Sequence, residues 1–221
     1  MFNYNNTFQK DFIEPHKINN MNSFIHGYFI GKKDIGLCDE LVNHYIHKEK
    51  IDFYGNQACE LDNDPSLAKK IDDQLYLCIS SYAKSYPASV VNIPGVVEKC
   101  IIQSSENGKP YNAIETVTVS KNTRRRHLGF LMFLSDTPKD GEGGYVSFYH
   151  QKISVKPEKG LILVYPDNWQ FIYMVDACDK ELYWLSGHLS SITEDEKFES
   201  VPKIQMVPAP TSEDISYKII N

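Results

Sequence analysis

Nowhere in this chain do apolar residues run on for the ~18 positions that a membrane-crossing helix needs. The opening residues, Met1-Phe2-Asn3-Tyr4, are polar and lack the basic-then-apolar pattern of a secretory leader, so neither membrane nor export is expected. A basic surplus is missing too. Lys and Arg number 23 against 29 Asp and Glu, a net charge of −6. That balance argues against a general nucleic-acid binder, which carries a basic patch or stripe. There is no C-x-x-C pair. The five cysteines, Cys38, Cys59, Cys78, Cys100 and Cys178, are odd in number and widely spaced. They read as reduced core residues of a protein made in cytoplasm, not as zinc ligands or a disulfide framework. Histidine is scarce: of seven, none falls within 101–126 and none within 151–187.

What is present suits one domain of 221 residues with a full core, since 42% of the chain is hydrophobic. Residues 1–22 are Asn-rich with little apolar periodicity and read as an N-terminal arm. Phe24 to Ile30 is aromatic and β-branched, a strand pattern. Asp34 is placed to cap a helix over 34–48, with Cys38, Leu41, Val42, Tyr45 and Ile46 on one face. Pro65 suits a first helical turn, and Ala68, Ile71, Leu75, Cys78, Ile79 and Tyr82 form a second stripe over 65–84. After Pro94-Gly95 the period changes to short β-rich runs at Val96 to Gln103, Ala113 to Val119, His127 to Leu134, Tyr145 to Phe148, Ile153 to Lys156, Leu161 to Tyr165, Phe171 to Val175 and Leu182 to Leu189. Many short strands separated by Gly and Pro turns predict a sandwich or jelly roll backed by the two helices. The polar tail from Ser190, with Pro202, Pro208 and Pro210, is expected to run extended over a surface. The expected organisation is therefore an arm (1–22), a mainly β domain of α+β class (23–189) and a C-terminal tail (190–221).

Four blocks carry a resemblance. They are Arg126 to Asp136 (RHLGFLMFLSD), Gly143 to Phe148 (GGYVSF), Gln151 to Pro166 (QKISVKPEKGLILVYP) and Tyr183 to Leu189 (YWLSGHL). In this order and at these gaps they are similar to the core of the prolyl 4-hydroxylase-like family of 2-oxoglutarate/Fe(II)-dependent dioxygenases. Ile102-Gln103 followed by Glu106-Asn107-Gly108 resembles the lead-in of the short bacteriophage versions. The resemblance spans residues 24–189 and implies a double-stranded β-helix, the jelly roll. The family binds iron through two histidines and one carboxylate, with open positions for co-substrate and oxygen. Carried over residue by residue, the first histidine slot falls on Ala113, the carboxylate slot on Glu115 and the second histidine slot on Tyr173. The cationic 2-oxoglutarate anchor falls on Leu182. Shifting the register by one or two residues never supplies a histidine. The resemblance thus implies no metal, no cofactor and no catalytic residue, and fold must be argued apart from function.

Other features have plain readings. Glu115 reads as a strand carboxylate facing Arg124, Arg125 or Arg126, and that arginine run as a solvated turn, with Arg126 opening the next strand as the resemblance implies. His44 and His47, at i and i+3, read as surface histidines. His150 and His188 lie outside the iron slots. Phe130, Phe133, Phe148, Tyr165, Trp169 and Trp184 are expected in the core. Asp167-Asn168-Trp169-Gln170 is expected to be a plain turn. The function these readings predict is a structural or interaction subunit that joins other protein subunits through the arm and tail. A bacteriophage virion part (neck, collar, tail or decoration) made in host cytoplasm is the specific form, with a cytoplasmic protein otherwise. An active Fe(II)/2-oxoglutarate hydroxylase with iron and 2-oxoglutarate bound, and a jelly-roll module for a small ligand or glycan, are the alternatives from other classes.

Overall fold

Helix α1 (Gly36–His47) forms where the apolar spacing puts it, burying Leu37, Cys38, Leu41 and Tyr45 along one side. The computed structural model describes residues 24–53, 56–61, 64–89, 95–98, 100–105, 111–113, 125–135, 143–178 and 180–191. Asp34 does not cap α1. It sits in a short 3-10 turn ahead of the helix, which opens after Ile35 without a side-chain cap, and its Oδ2 accepts a hydrogen bond from Gln74 Nε2 at 3.2 Å. The carboxylate is used to join the two helices.

Helix α2 (Pro65–Ser85) starts as expected. Pro65 occupies the first turn, and Asp64 accepts from the backbone N–H of Ser66 and Leu67 at 3.0 and 3.1 Å. Its stripe of Leu67, Ile71, Leu75, Cys78, Ile79 and Tyr82 is buried. Each such side chain contributes ~1.5–3 kcal/mol by leaving water. Asp72 is the discordant residue of this helix. Its Oδ1 is buried and has no hydrogen-bond partner among the described residues. Burial, with the neighbouring Asp73 carboxylate adding to it and Lys69 opposing, pushes its carboxyl up to about 7. An acid with a raised folded pKa costs stability as pH rises from its ordinary value of 3.8 to about 7. Asp72→Asn should therefore raise the melting temperature above about pH 7 and leave it little changed near 3.8. Thermal scans across that range check the sign.

Twelve strands are formed by the described residues, and every pairing is antiparallel. The larger sheet contains β1 (His26–Phe29), β2 (Ile51–Phe53), β3 (Asn56–Glu60), β4 (Gly95–Val97), β5 (Ile101–Ser104), β7 (Arg126–Phe133), β10 (Leu161–Pro166) and β12 (Tyr183–Ser191). Its order is β1-β10-β7-β12-β5-β3-β2, with β4 also paired to β12. The smaller sheet, in the order β6-β11-β8-β9, contains β6 (Tyr111–Ala113), β8 (Val146–Phe148), β9 (Ile153–Val155) and β11 (Tyr173–Val175). From β5 onward the chain passes repeatedly between the sheets, which makes the architecture a jelly roll with two backing helices. Between 126 and 189 the described helical structure is one three-residue 3-10 turn, Trp169–Phe171. The β2–β3 hairpin between the helices was not expected from sequence.

The two sides of the larger sheet face different partners. Ile102, Leu128, Phe130, Met132, Ile162, Val164, Leu185 and Leu189 pack with both helices. Leu131, Phe133, Leu161, Leu163, Tyr165 and Trp184 point into the roll and meet Val146, Phe148, Ile153, Val155, Tyr173 and Val175 of the smaller sheet. Strands β7, β10 and β12 are covered on both faces, so they read as continuous apolar runs. The five cysteines are free and buried. Burial pushes three of the thiols up, Cys38 to about 11, Cys100 to about 12 and Cys78 upward as well, which keeps these three protonated and unreactive.

Candidate functional site

The sequence places its candidate site inside the roll, and β6 and β11 bring two of its residues together. Tyr173 pairs directly with Ala113 in the antiparallel register. Tyr173 is 3% exposed and lies among inward-facing rings: Phe148 at 6.0 Å and Tyr165 at 6.1 Å between centroids, with Phe148 and Tyr165 5.2 Å apart. Gly129 makes room for this cluster. It lies opposite Tyr165, and a Cβ there would stand 2.7 Å from the Tyr165 ring. Leu182, also 3% exposed, belongs to the same apolar cluster. Its backbone is fixed by Ser105, whose Oγ accepts from Leu182 N–H at 3.0 Å and whose N–H donates to the Leu182 carbonyl at 2.9 Å. Glu115 lies outside the described residues.

Strand β12 changes character along its inner face. Leu182 and Trp184 are apolar, whereas Ser186, His188 and Ser190 follow at the same alternation. Ser186 Oγ accepts from Gln103 Nε2 at 2.5 Å. His188 Nδ1 is 2.6 Å from Asp167 Oδ2, and the two residues are only 8% and 6% exposed. Asp167 also donates its backbone N–H to the His127 carbonyl at 3.0 Å. Burial lowers the His127 imidazole below its ordinary 6.5, while the Asp167 charge and a bond to the Arg125 backbone oppose the shift. Beside this group, Glu98 takes a two-pronged ion pair from Arg126, with Nε at 2.9 Å and Nη2 at 2.6 Å from Oε2, and also a hydrogen bond from Ser190 Oγ. The end of the roll formed by the finish of β10 and β12 and the start of β7 thus carries a polar cluster, with Asp167, His188 and Ser190 buried and the Glu98–Arg126 ion pair half-buried beside them. Asp167 is not part of a plain turn; it is the buried partner of His188.

The sequence missed that pairing because the residues are 21 apart and meet only through the β10-β7-β12 register. A usable signal existed. His188 alternates with Trp184, so a polar ring on an inner face needed a partner. One further expectation is corrected: Trp169 is not in the core but 61% exposed, on the 3-10 turn that Asn168 caps. Arg126 opens β7, the strand-opening place that the resemblance implies, and is engaged there by Glu98. Of the two α1 histidines, His47 is exposed, whereas His44 is half-buried with its Nε2 enclosed. Among the described residues no three His, Cys, Asp or Glu side chains converge closely enough to hold a metal ion. No helix among them is long and apolar enough to cross a membrane.

With this geometry in view, the likeness to solved structures is specific in fold. The viral collagen prolyl hydroxylase of Paramecium bursaria Chlorella virus-1 superposes with a TM-score of 0.61 at 15% identity, covering 78% of this chain and 98% of that one. A Pseudomonas putida prolyl-4-hydroxylase gives 0.59 at 14% identity, covering 77% and 94%. A Trichoplax adhaerens prolyl hydroxylase in complex with a hypoxia inducible factor peptide fragment gives 0.60 at 14% identity, covering 79% and 86%. No family model matches the sequence, and no curated protein matches it. The fold is that of the prolyl 4-hydroxylase-like 2-oxoglutarate/Fe(II) oxygenases. At Ala113, Tyr173 and Leu182, the positions that the sequence resemblance assigns to the site, the residue types do not fit that chemistry. Ala113 has no donor atom, Tyr173 offers a phenol enclosed by rings where an imidazole is needed, and Leu182 offers no cation to a dianion.

Proposed function

We propose that this chain keeps the oxygenase fold without the iron chemistry and serves as an interaction subunit of a larger protein assembly. The observation that carries the reading is the aromatic and aliphatic filling of the roll's interior by Tyr173, Phe148, Tyr165 and Leu182. Among the described residues, the part of the roll around Tyr173 and Leu182 is lined by rings and a leucine and offers neither the nitrogen donors that Fe(II) takes nor a positive partner for two carboxylates; the one inner-face imidazole, His188, is paired with Asp167. The same packing makes the domain a rigid body suited to display other segments. Residues 1–22 supply Phe2, Tyr4, Phe8, Phe12 and Ile13 as apolar anchors on a polar, Asn-rich stretch, and 190–221 supply Ile192, Phe198, Val201, Ile204 and Met206. Such segments bind by burying a few large side chains in a neighbour. The phage-like lead-in at Ile102 to Gly108 favours a bacteriophage particle as the assembly, with synthesis in host cytoplasm.

Size fractionation of a lysate from the producing cell tests this. The full chain should travel with a high-mass particle, and deleting residues 1–15 or 208–221 should return a folded protein to monomer size. A full chain that travels as a monomer overturns the proposal. So does a truncated chain that stays in the particle and loses only thermal stability.

A further inference from the structure

The most exposed large apolar side chains among the described residues are Tyr149, at 68%, and Trp169, at 61%. They occupy neighbouring connections at one end of the roll: Tyr149 in the β8–β9 turn and Trp169 in the 3-10 turn between β10 and β11. His150 bridges them. Its ring lies 5.1 Å from Tyr149 and 5.9 Å from Trp169, close to perpendicular to both at 83° and 81°. The ledge is held from behind. Tyr149 N–H donates to the Ile172 carbonyl at 3.0 Å, and Gln151 Nε2 donates to the Gln170 carbonyl at 2.9 Å. Asn168 Oδ1 accepts from Gln170 N–H at 2.9 Å, and Asp167, one residue earlier, is anchored inside the roll by His188. Exposed rings that are this firmly placed lose little entropy when something stacks on them.

We propose that this ledge binds neutral carbohydrate, with the faces of Tyr149 and Trp169 stacking on the apolar faces of successive sugar rings. Size and chemistry favour this occupant over a protein partner. Two large aromatic rings offer on the order of 300 Å². A stable protein interface needs ~800 Å² from each side, and the flanking surface at Ser147 and Ser154 is polar, with the two hydroxyls bonded to each other at 2.9 Å. The one exposed large apolar side chain beside these hydroxyls among the described residues is Met174, paired with Ser147, and it leaves the ledge well short of that area. Its segments, Tyr149 to Lys152 and Asn168 to Ile172, contain amides, rings and one lysine but no exposed carboxylate. Rings set among amides match a flat ligand with apolar faces and hydroxyl edges, a chemistry that jelly-roll lectins also meet. The inference is independent of whether iron binds inside the roll.

The chain has two tryptophans, and Trp184 is buried, so quenching of exposed-tryptophan fluorescence reports on Trp169. The full chain should be titrated with maltohexaose, cellohexaose and chitohexaose, with calorimetry alongside. At least one should give saturable quenching and heat. Trp169→Ala should weaken that binding by about tenfold and Tyr149→Ala by a smaller factor, with unchanged thermal melting because both side chains are exposed. Three outcomes overturn the proposal: no saturable response to any of the three sugars; binding that survives the double replacement; or concentration-dependent self-association of the wild type that the replacements abolish, which would make the ledge a contact between copies.

Discussion

Asp167→Ala should cost the fold ~3–5 kcal/mol, measured as the loss of unfolding free energy in urea. The carboxylate and the His188 ring lie 2.6 Å apart inside the roll. Deleting the acid leaves the imidazole buried without the partner that orients it, and a buried polar group stripped of its partner carries its full desolvation cost. The same change frees the chain between β10 and the 3-10 turn, because the Asp167 side chain ties that connection to β12. His188→Ala should be destabilising for the reciprocal reason, since it leaves a buried carboxylate. The double replacement should cost less than the two singles together, because the interaction is counted in each. Strictly additive effects below ~1 kcal/mol each would show that the pair is solvated and structurally idle.

The second large effect is expected at Tyr173. Tyr173→Ala removes a ring packed between Phe148 and Tyr165 and should destabilise the domain by ~3–5 kcal/mol, as large-to-small changes in a core do. The cost bears on function as well as stability. The resemblance assigns a metal-binding histidine to this position, and the ring found there is expected instead to hold the two sheets together. Tyr173→Phe, which keeps the ring, should cost much less than the alanine change. A Tyr173→Ala protein as stable as wild type would mean that the interior is not sealed by this ring.

The parts of the fold legible in the sequence are those where burial leaves a repeating mark. Ile71, Leu75, Cys78, Ile79 and Tyr82 recur at helical spacing because α2 buries one stripe, which begins at Leu67 and leaves Ala68 half-buried at its edge. The runs at 128–134 and 161–165 are continuous because their strands are covered on both faces. The β2–β3 hairpin leaves no such mark. It is short, sits at the edge of the sheet and carries Asp52, Asn56 and Gln57 among its apolar residues. Asp34 has the residue type and position of a cap, but the cross-helix bond to Gln74 took its place, and local spacing cannot report a contact 40 residues away. Trp169 shows the limit of residue type. A tryptophan suits a core, yet a three-residue turn aims this one outward. For the site, the family resemblance singled out Ala113, Glu115, Tyr173 and Leu182; the fold pairs Tyr173 with Ala113 and puts Tyr173 and Leu182 inside the roll, and Glu115 lies outside the described residues. The ionic cluster of Asp167, His188, Glu98 and Arg126 emerges only once the strands are registered.

The proposed absence of iron chemistry in this oxygenase fold is open to direct measurement. Purified full-length protein, loaded with Fe(II) under anaerobic conditions and desalted, should retain iron far below one equivalent by elemental analysis. Given oxygen, ascorbate and 2-oxoglutarate, it should release no succinate above a no-protein blank. Iron retained at one equivalent, together with succinate formed at a rate proportional to protein, would contradict the account and restore the hydroxylase reading.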